Sequence, residues 1–140
     1  DPFSYARSKE IYAATKLGHR VSPNLSGADA IGPNGEEYEY KSTIGKNCKG
    51  SYTGISVQPS WDKQRDYLIN DKIGKYPKHY YNRFKDGKLV ESWEMDAKDV
   101  LGVLLPKMKR KYGNTLNNKD PRLSADVSSG EIKKYGKRII

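Results

Sequence analysis

Polar and apolar side chains alternate in EYEYK, residues 37–41. In an extended chain this puts Tyr38 and Tyr40 on one face and Glu37, Glu39 and Lys41 on the other. The run lengthens to EEYEYKSTI and follows the turn signal PNGE at 33–36, so it predicts a strand returning from a hairpin. The first arm of that hairpin is GADAIG, residues 27–32, which carries Asp29. A longer period governs the N-terminal stretch. Ile11, Ala14 and Leu17 form an apolar stripe that predicts a helix over roughly 5–17, capped by Ser4 and stopped by Gly18. SPNLSG, residues 22–27, is loop chemistry between the two.

Downstream, GKNCKG at 45–50 reads as a glycine-flanked loop and SYTGISVQ at 51–58 as a third strand. Pro59 breaks that strand, and Ser60 is placed to cap a helix over roughly 61–71. HYYNRF (79–84) and KLVESWEM (88–95) flank Asp86-Gly87, a hairpin signal. Asp96 is expected to cap a helix carrying Val100, Leu101 and Leu104, which Pro106 should end or kink. Residues 113–127 read as loop, and Ser128 or Ser129 as the cap of a short basic helix ending near Gly136. The expected fold class is α/β (α+β), a small mixed sheet flanked by helices.

The chain of 140 residues is long enough for one domain with one core. It holds no internal repeat and no low-complexity tract. Its formal charge of +9 favours polyanionic partners. The charge is uneven: residues 105–140 hold ten Lys or Arg against three acids, and the rest is nearly neutral. The expected organisation is therefore a core over residues 1–112 and a basic C-terminal extension, 113–140, packed on the same domain. Within the basic stretch 105–140, Lys133, Lys134, Lys137 and Arg138 are the candidate phosphate contacts, with Tyr112 and Tyr135 as stacking surfaces among the cations. Lys46 and Lys49 in the glycine-flanked loop are two more. No apolar run is long enough to span a bilayer and no signal-like segment opens the chain, so no membrane role is expected. The single cysteine, Cys48, rules out an intrachain disulfide and a multi-cysteine metal site and reads as a passive thiol. The chain begins at Asp1 without a methionine, which suggests a trimmed or processed piece. The expected setting is a cytoplasm, the cell's own or a host's.

Asp29 and Glu39 on paired strands would bring two carboxylates within a few ångströms, with Lys41 two residues on along the same face. A hard divalent cation, Mg²⁺ or Mn²⁺, takes such oxygen ligands together with water and phosphate. A lysine beside it can position an attacking water and offset charge on the phosphate in flight. This is a compact arrangement for phosphodiester hydrolysis. The opposing reading is plain: an alternating charged strand is also the ordinary solvated face of a half-exposed sheet.

These residues resemble the PD-(D/E)xK nuclease superfamily, the restriction-endonuclease-like fold. The resemblance rests on Asp29 and Glu39-Tyr40-Lys41, with nine residues between Asp29 and Glu39 and Ala28 in place of a proline. It rests also on the helix-strand-strand-strand-helix-strand order over roughly residues 5–84. It implies that Asp29 and Glu39 are metal ligands, with the Tyr40 carbonyl, and that Lys41 is the water-positioning base or charge stabiliser. Glu10 is the candidate for a further acid from the first helix. A glutamine after the lysine strand would be Gln58 or Gln64, for which a capping or helix-surface role is the competing expectation. The nearest relatives implied are phage, restriction-type or homing endonucleases.

GKNCKGS lacks the spacing of a phosphate-binding Walker loop. His19 and His79 have no second histidine at ligand spacing and read as structural or surface residues. Asn24-Leu25-Ser26 is a chance sequon unless the protein is secreted. The sequence thus leads to a metal-dependent endonuclease on double-stranded DNA, working as a homodimer or higher homo-oligomer. An RNA-cleaving, toxin-like nuclease and a non-catalytic nucleic-acid-binding module stand as the alternatives.

Overall fold

The structure is a computed structural model that describes residues 2–21, 29–115 and 121–140, with side chains from Lys9 onward. SPNLSG and the sequon fall outside the described residues. Helix α1 spans Pro2–Leu17. Ser4 lies inside it rather than capping it, and proline is well suited to a first helical turn, where its missing N–H has no partner to lose. Short strands β1 (Arg20–Val21) and β2 (Ala30–Ile31) follow, then β3 (Glu37–Thr43), β4 (Gly50–Ser56) and α2 (Trp61–Tyr67). A π-helical turn, Leu68–Lys72, extends α2. The remainder is β5 (Lys78–Lys85), β6 (Lys88–Asp96), α3 (Ala97–Thr115), β7 (Arg122–Val127), α4 (Ser129–Tyr135) and β8 (Lys137–Arg138).

The protein is a mixed α and β fold built on a mixed sheet, with four α-helices among the described residues. The main sheet has six strands in the order β1-β2-β3-β5-β6-β8. β3 and β5 run parallel, as a crossover through a helix requires, and every other pair in this sheet is antiparallel. The third strand expected at 51–58 leaves this sheet. As β4 it pairs antiparallel with β7 in a separate two-stranded ribbon. The region 113–127, expected to be loop, instead continues α3 to Thr115 and supplies β7. Leu123, Ala125 and Val127 alternate inward there and are buried.

Caps and turns follow local chemistry. Ser60 accepts the Lys63 N–H at 3.2 Å and begins α2. Ser128 and Glu131 form a reciprocal capping box on α4. Asp86 and Gly87 both take positive φ, 52° and 77°, the backbone that a two-residue hairpin turn demands. Asp96 ends β6 directly before α3, and its side chain pairs with Lys78. Pro106 sits within α3, which continues for more than two turns beyond it. Proline frees the carbonyl four residues back, and here that residue is the exposed Gly102, so water can satisfy it.

Two cores cover the two faces of the main sheet. Ala13 and Ala14 of α1 pack over Tyr38, Tyr40, Tyr80, Phe84 and Leu89. The opposite face, through Tyr81 and Met95, packs against β4, the π turn, α3, β7 and Ile132 of α4. The segment expected as an extension therefore contributes to this second core. Because β3 alternates, Glu39 and Lys41 look toward this second core while Tyr38 and Tyr40 are buried under α1.

Candidate functional site

Asp29 stands just before β2. Its backbone N–H donates to the Tyr38 carbonyl at 3.0 Å, and its Oδ2 accepts the Tyr40 N–H at 2.8 Å. The antiparallel register pairs Ala30 with Tyr38, which brings Asp29 beside Glu39. The two carboxyls are hydrogen-bonded to each other. Burial is the chief cause that pushes the Glu39 carboxyl up to about 9, and the bond to Asp29 and its charge push the same way. Lys41 opposes the shift and Glu10 adds to it, so the charge of Glu10 on α1 is felt at the pair. At neutral pH the Glu39 carboxyl therefore keeps its proton.

Lys41 projects on the same side as Glu39. Its ammonium lies 4.4 Å from the centroid of the Tyr52 ring on β4. Glu39, Lys41, Tyr52, Thr53, Ile55, Lys72 and Ile73 line a cleft of about 130 Å³ between β3, β4 and the π turn. The π turn gives the cleft its outer wall. Ile73 N–H and Gly74 N–H both donate to the Leu68 carbonyl, at 2.8 and 3.0 Å. A Cβ on Gly74 would collide with the Ile69 backbone, so this closure requires glycine.

Beneath the cleft lies a buried polar chain. The Tyr52 hydroxyl is 2.8 Å from His79 Nδ1 and 2.9 Å from the Tyr81 hydroxyl, and His79 Nε2 is 3.0 Å from the Ile73 carbonyl. His79 is wholly buried, and burial lowers its pKa to about 4, so the ring is neutral at physiological pH. A carbonyl only accepts, so Nε2 carries the proton and Nδ1 accepts from Tyr52. Tyr52 in turn accepts from Tyr81. His79 is structural, as expected, but it belongs to the floor of this cleft.

The sequence-derived candidates therefore separate. Asp29, Glu39 and Lys41 come together, with Glu10 close enough to act electrostatically. Lys46 is exposed in its loop, and Lys49 forms an ion pair with Asp126 at 3.1 Å. Lys133 and Lys134 are exposed on α4, and Lys137 and Arg138 are exposed on β8. None of these six basic residues lines the cleft. Gln64, instead of occupying a helix surface, is buried and accepts the Gln58 N–H at 2.6 Å, tying α2 to the end of β4. Tyr112, expected as a stacking surface, packs on Trp61 and donates to the Gln58 carbonyl at 2.7 Å. Tyr135 is half exposed beside Lys134. Cys48 is buried and its thiol is pushed up to about 11, chiefly by that burial, which fits a passive thiol.

The cleft residues that sequence reasoning missed are Tyr52, Thr53, Ile55, Lys72 and Ile73. The alternation of Tyr52 with polar neighbours marks a strand, but its partners lie on other elements. Among the described residues, no group of three or more His, Cys, Asp or Glu side chains gathers as a metal site. No family model matches the chain, and no curated protein matches it significantly.

Proposed function

We propose that this chain is a divalent-metal-dependent endonuclease that hydrolyses phosphodiester bonds in double-stranded DNA. The observation that carries the reading is Glu39 and Lys41 on one cleft, with the Asp29 carboxyl beside Glu39. Glu39 is pushed up to about 9, chiefly by its own burial and then by its bond to Asp29 and the Asp29 charge. An oxygen-only pair of this kind suits a hard cation, Mg²⁺ or Mn²⁺, with water and substrate phosphate completing its shell. The resemblance to the PD-(D/E)xK superfamily supports the same reading. The order along the chain is compatible with it only if the short β1, and not the strand expected at 51–58, counts among the three strands between α1 and α2.

Asp29 and Glu39 would hold the cation, with the Tyr40 carbonyl beside them. When bound, the cation polarises the phosphate and lowers the pKa of the attacking water. Lys41 orients that water and offsets charge as it accumulates on the phosphate oxygens. Water forms a new P–O bond and loses a proton, the opposite P–O bond breaks, and the departing oxygen takes up a proton. The basic surface of α4 and β8 would supply phosphate contacts outside the cleft. One such cleft cuts one strand, so a two-fold dimer on duplex DNA is the assembly proposed for double-strand cleavage.

The test is incubation with plasmid and with total RNA, with Mg²⁺ or with excess EDTA, using wild type, Glu39→Ala and Lys41→Ala. The expected result is Mg²⁺-dependent plasmid cleavage that both variants lose. Cleavage in EDTA, or an active Glu39→Ala protein, overturns the site. Preferential loss of RNA selects the ribonuclease alternative, and binding without cleavage selects the non-catalytic one. Sedimentation on the cleaved duplex counts the protomers.

Among the described residues, no helix is long and apolar enough to cross a membrane.

A further inference from the structure

We propose that Tyr52 is a positioning residue for Lys41, holding its ammonium over the cleft on a ring that the core keeps still. This deepens the nuclease reading and rests on it. The ammonium lies 4.4 Å from the ring centroid, and both residues line the same cleft as Glu39. An ammonium needs an attractive neighbour to stay in one place. A carboxylate would provide that, but it would take up N–H donors and neutralise the charge. An aromatic face attracts the cation through its quadrupole and accepts no proton. The three N–H donors of Lys41 thus remain available to water and phosphate.

The ring itself is fixed at its far end. Tyr52 donates to His79 and accepts from Tyr81, and His79 donates to the carbonyl of Ile73. Tyr52 is 5% exposed, and His79 and Tyr81 are wholly buried. The chain of hydrogen bonds joins β4, β5 and the end of the π turn, three elements that meet around the cleft. Any swing of the Tyr52 ring would break two buried bonds at once. A lysine resting on so fixed a ring keeps its place over the cleft.

The experiment compares wild type, Tyr52→Phe and Tyr52→Leu by steady-state cleavage and by NMR of the lysine ε-methylene protons. The Lys41 resonance is assigned by its loss in Lys41→Arg. In wild type and Tyr52→Phe the resonance is displaced upfield by the ring current. In Tyr52→Leu it returns to the ordinary lysine position. Tyr52→Leu lowers kcat by about ten-fold or more with KM for DNA little changed. Tyr52→Phe, which keeps the ring in its packed place, recovers most of that loss. A merely structural role would show as equal losses that follow the melting temperature. If Tyr52→Leu fails to fold, Tyr52→Met takes its place. An undisplaced Lys41 resonance in wild type, or full kcat in a folded variant without the ring, overturns the inference. If wild type shows the displacement but no Mg²⁺-dependent cleavage, the nuclease reading falls first and takes this role with it.

Discussion

The Asp29 carboxylate accepts the backbone N–H of Tyr40 at 2.8 Å, so the acid before β2 grips the residue between Glu39 and Lys41 on β3. This bond fixes the first acid to the strand that carries the other two groups. Asp29→Asn and Asp29→Ala both remove the charge beside Glu39, but only asparagine keeps an oxygen for the Tyr40 amide. Both variants are expected to lose cleavage. The alanine variant should be less stable than the asparagine variant by about 1 kcal/mol, the usual cost of a lost hydrogen bond. Urea unfolding of the pair measures it, and equal midpoints would show that the bond contributes nothing.

The metal-free protein should lose stability as pH rises. The Glu39 carboxyl is pushed from 4.5 to about 9 on folding, so the folded state retains a proton that the unfolded chain releases. Its contribution is complete below pH 4.5 and is lost as pH rises toward 9. Glu39→Gln keeps the shape without the titration. It is expected to raise the melting temperature at pH 8, by about 4 °C for each kcal/mol relieved. It should also flatten the dependence between pH 5 and 9. Thermal melts of both proteins in EDTA across that range decide the matter.

Features held by neighbours in sequence were the legible ones. Tyr38 and Tyr40 against Glu39 and Lys41 follow from a period of two, and the caps at Ser60 and Ser128 and the turn at Asp86-Gly87 follow from local backbone chemistry. β7 was missed although Leu123, Ala125 and Val127 alternate with serine and aspartate at the same period of two: the run is short, and its partner β4 lies far upstream. The same distance hid the Tyr52–His79–Tyr81 chain, whose members come from two strands and whose last acceptor, Ile73, ends a π turn. The ion pair of Asp96 with Lys78 was hidden in the same way, because Lys78 stands across the strand pair.

His79 should make the fold sensitive to acid. Its pKa falls from 6.5 to about 4 on folding, chiefly through burial. The neutral ring therefore contributes fully above pH 6.5, and the contribution is lost as pH falls toward 4. His79→Phe removes the titration along with the hydrogen bonds to Tyr52 and Ile73. It should unfold more easily than wild type at pH 7, yet show a smaller fall between pH 6.5 and 4. The buried carboxylates common to both proteins cancel in the difference. Parallel stability curves in that window would mean that His79 does not titrate as its burial implies.

The basic residues of α4 and β8 give the last prediction. Lys133, Lys134, Lys137 and Arg138 are all exposed, and β8 is held by its backbone pairing to β6. Their side chains can therefore be changed without disturbing the sheet. Arg138 Nε does donate to the Ile140 carbonyl at 2.8 Å, and glutamine offers a donor in its place. Replacing all four by glutamine should leave the melting temperature within a few degrees of wild type. If they meet DNA phosphates, binding should weaken on every sequence alike, because phosphate contacts carry no base information. The plot of log Kd against log salt should also flatten by roughly 0.9 for each lost contact to B-DNA. Lys46→Gln, a single exposed loop lysine, should change that slope by no more than one contact. Fluorescence anisotropy with a labelled duplex over a range of salt concentrations separates the cases. A fourfold variant with the wild-type slope would place this surface away from DNA and leave the phosphate contacts to be found around the cleft, where Lys72 stands beside Lys41.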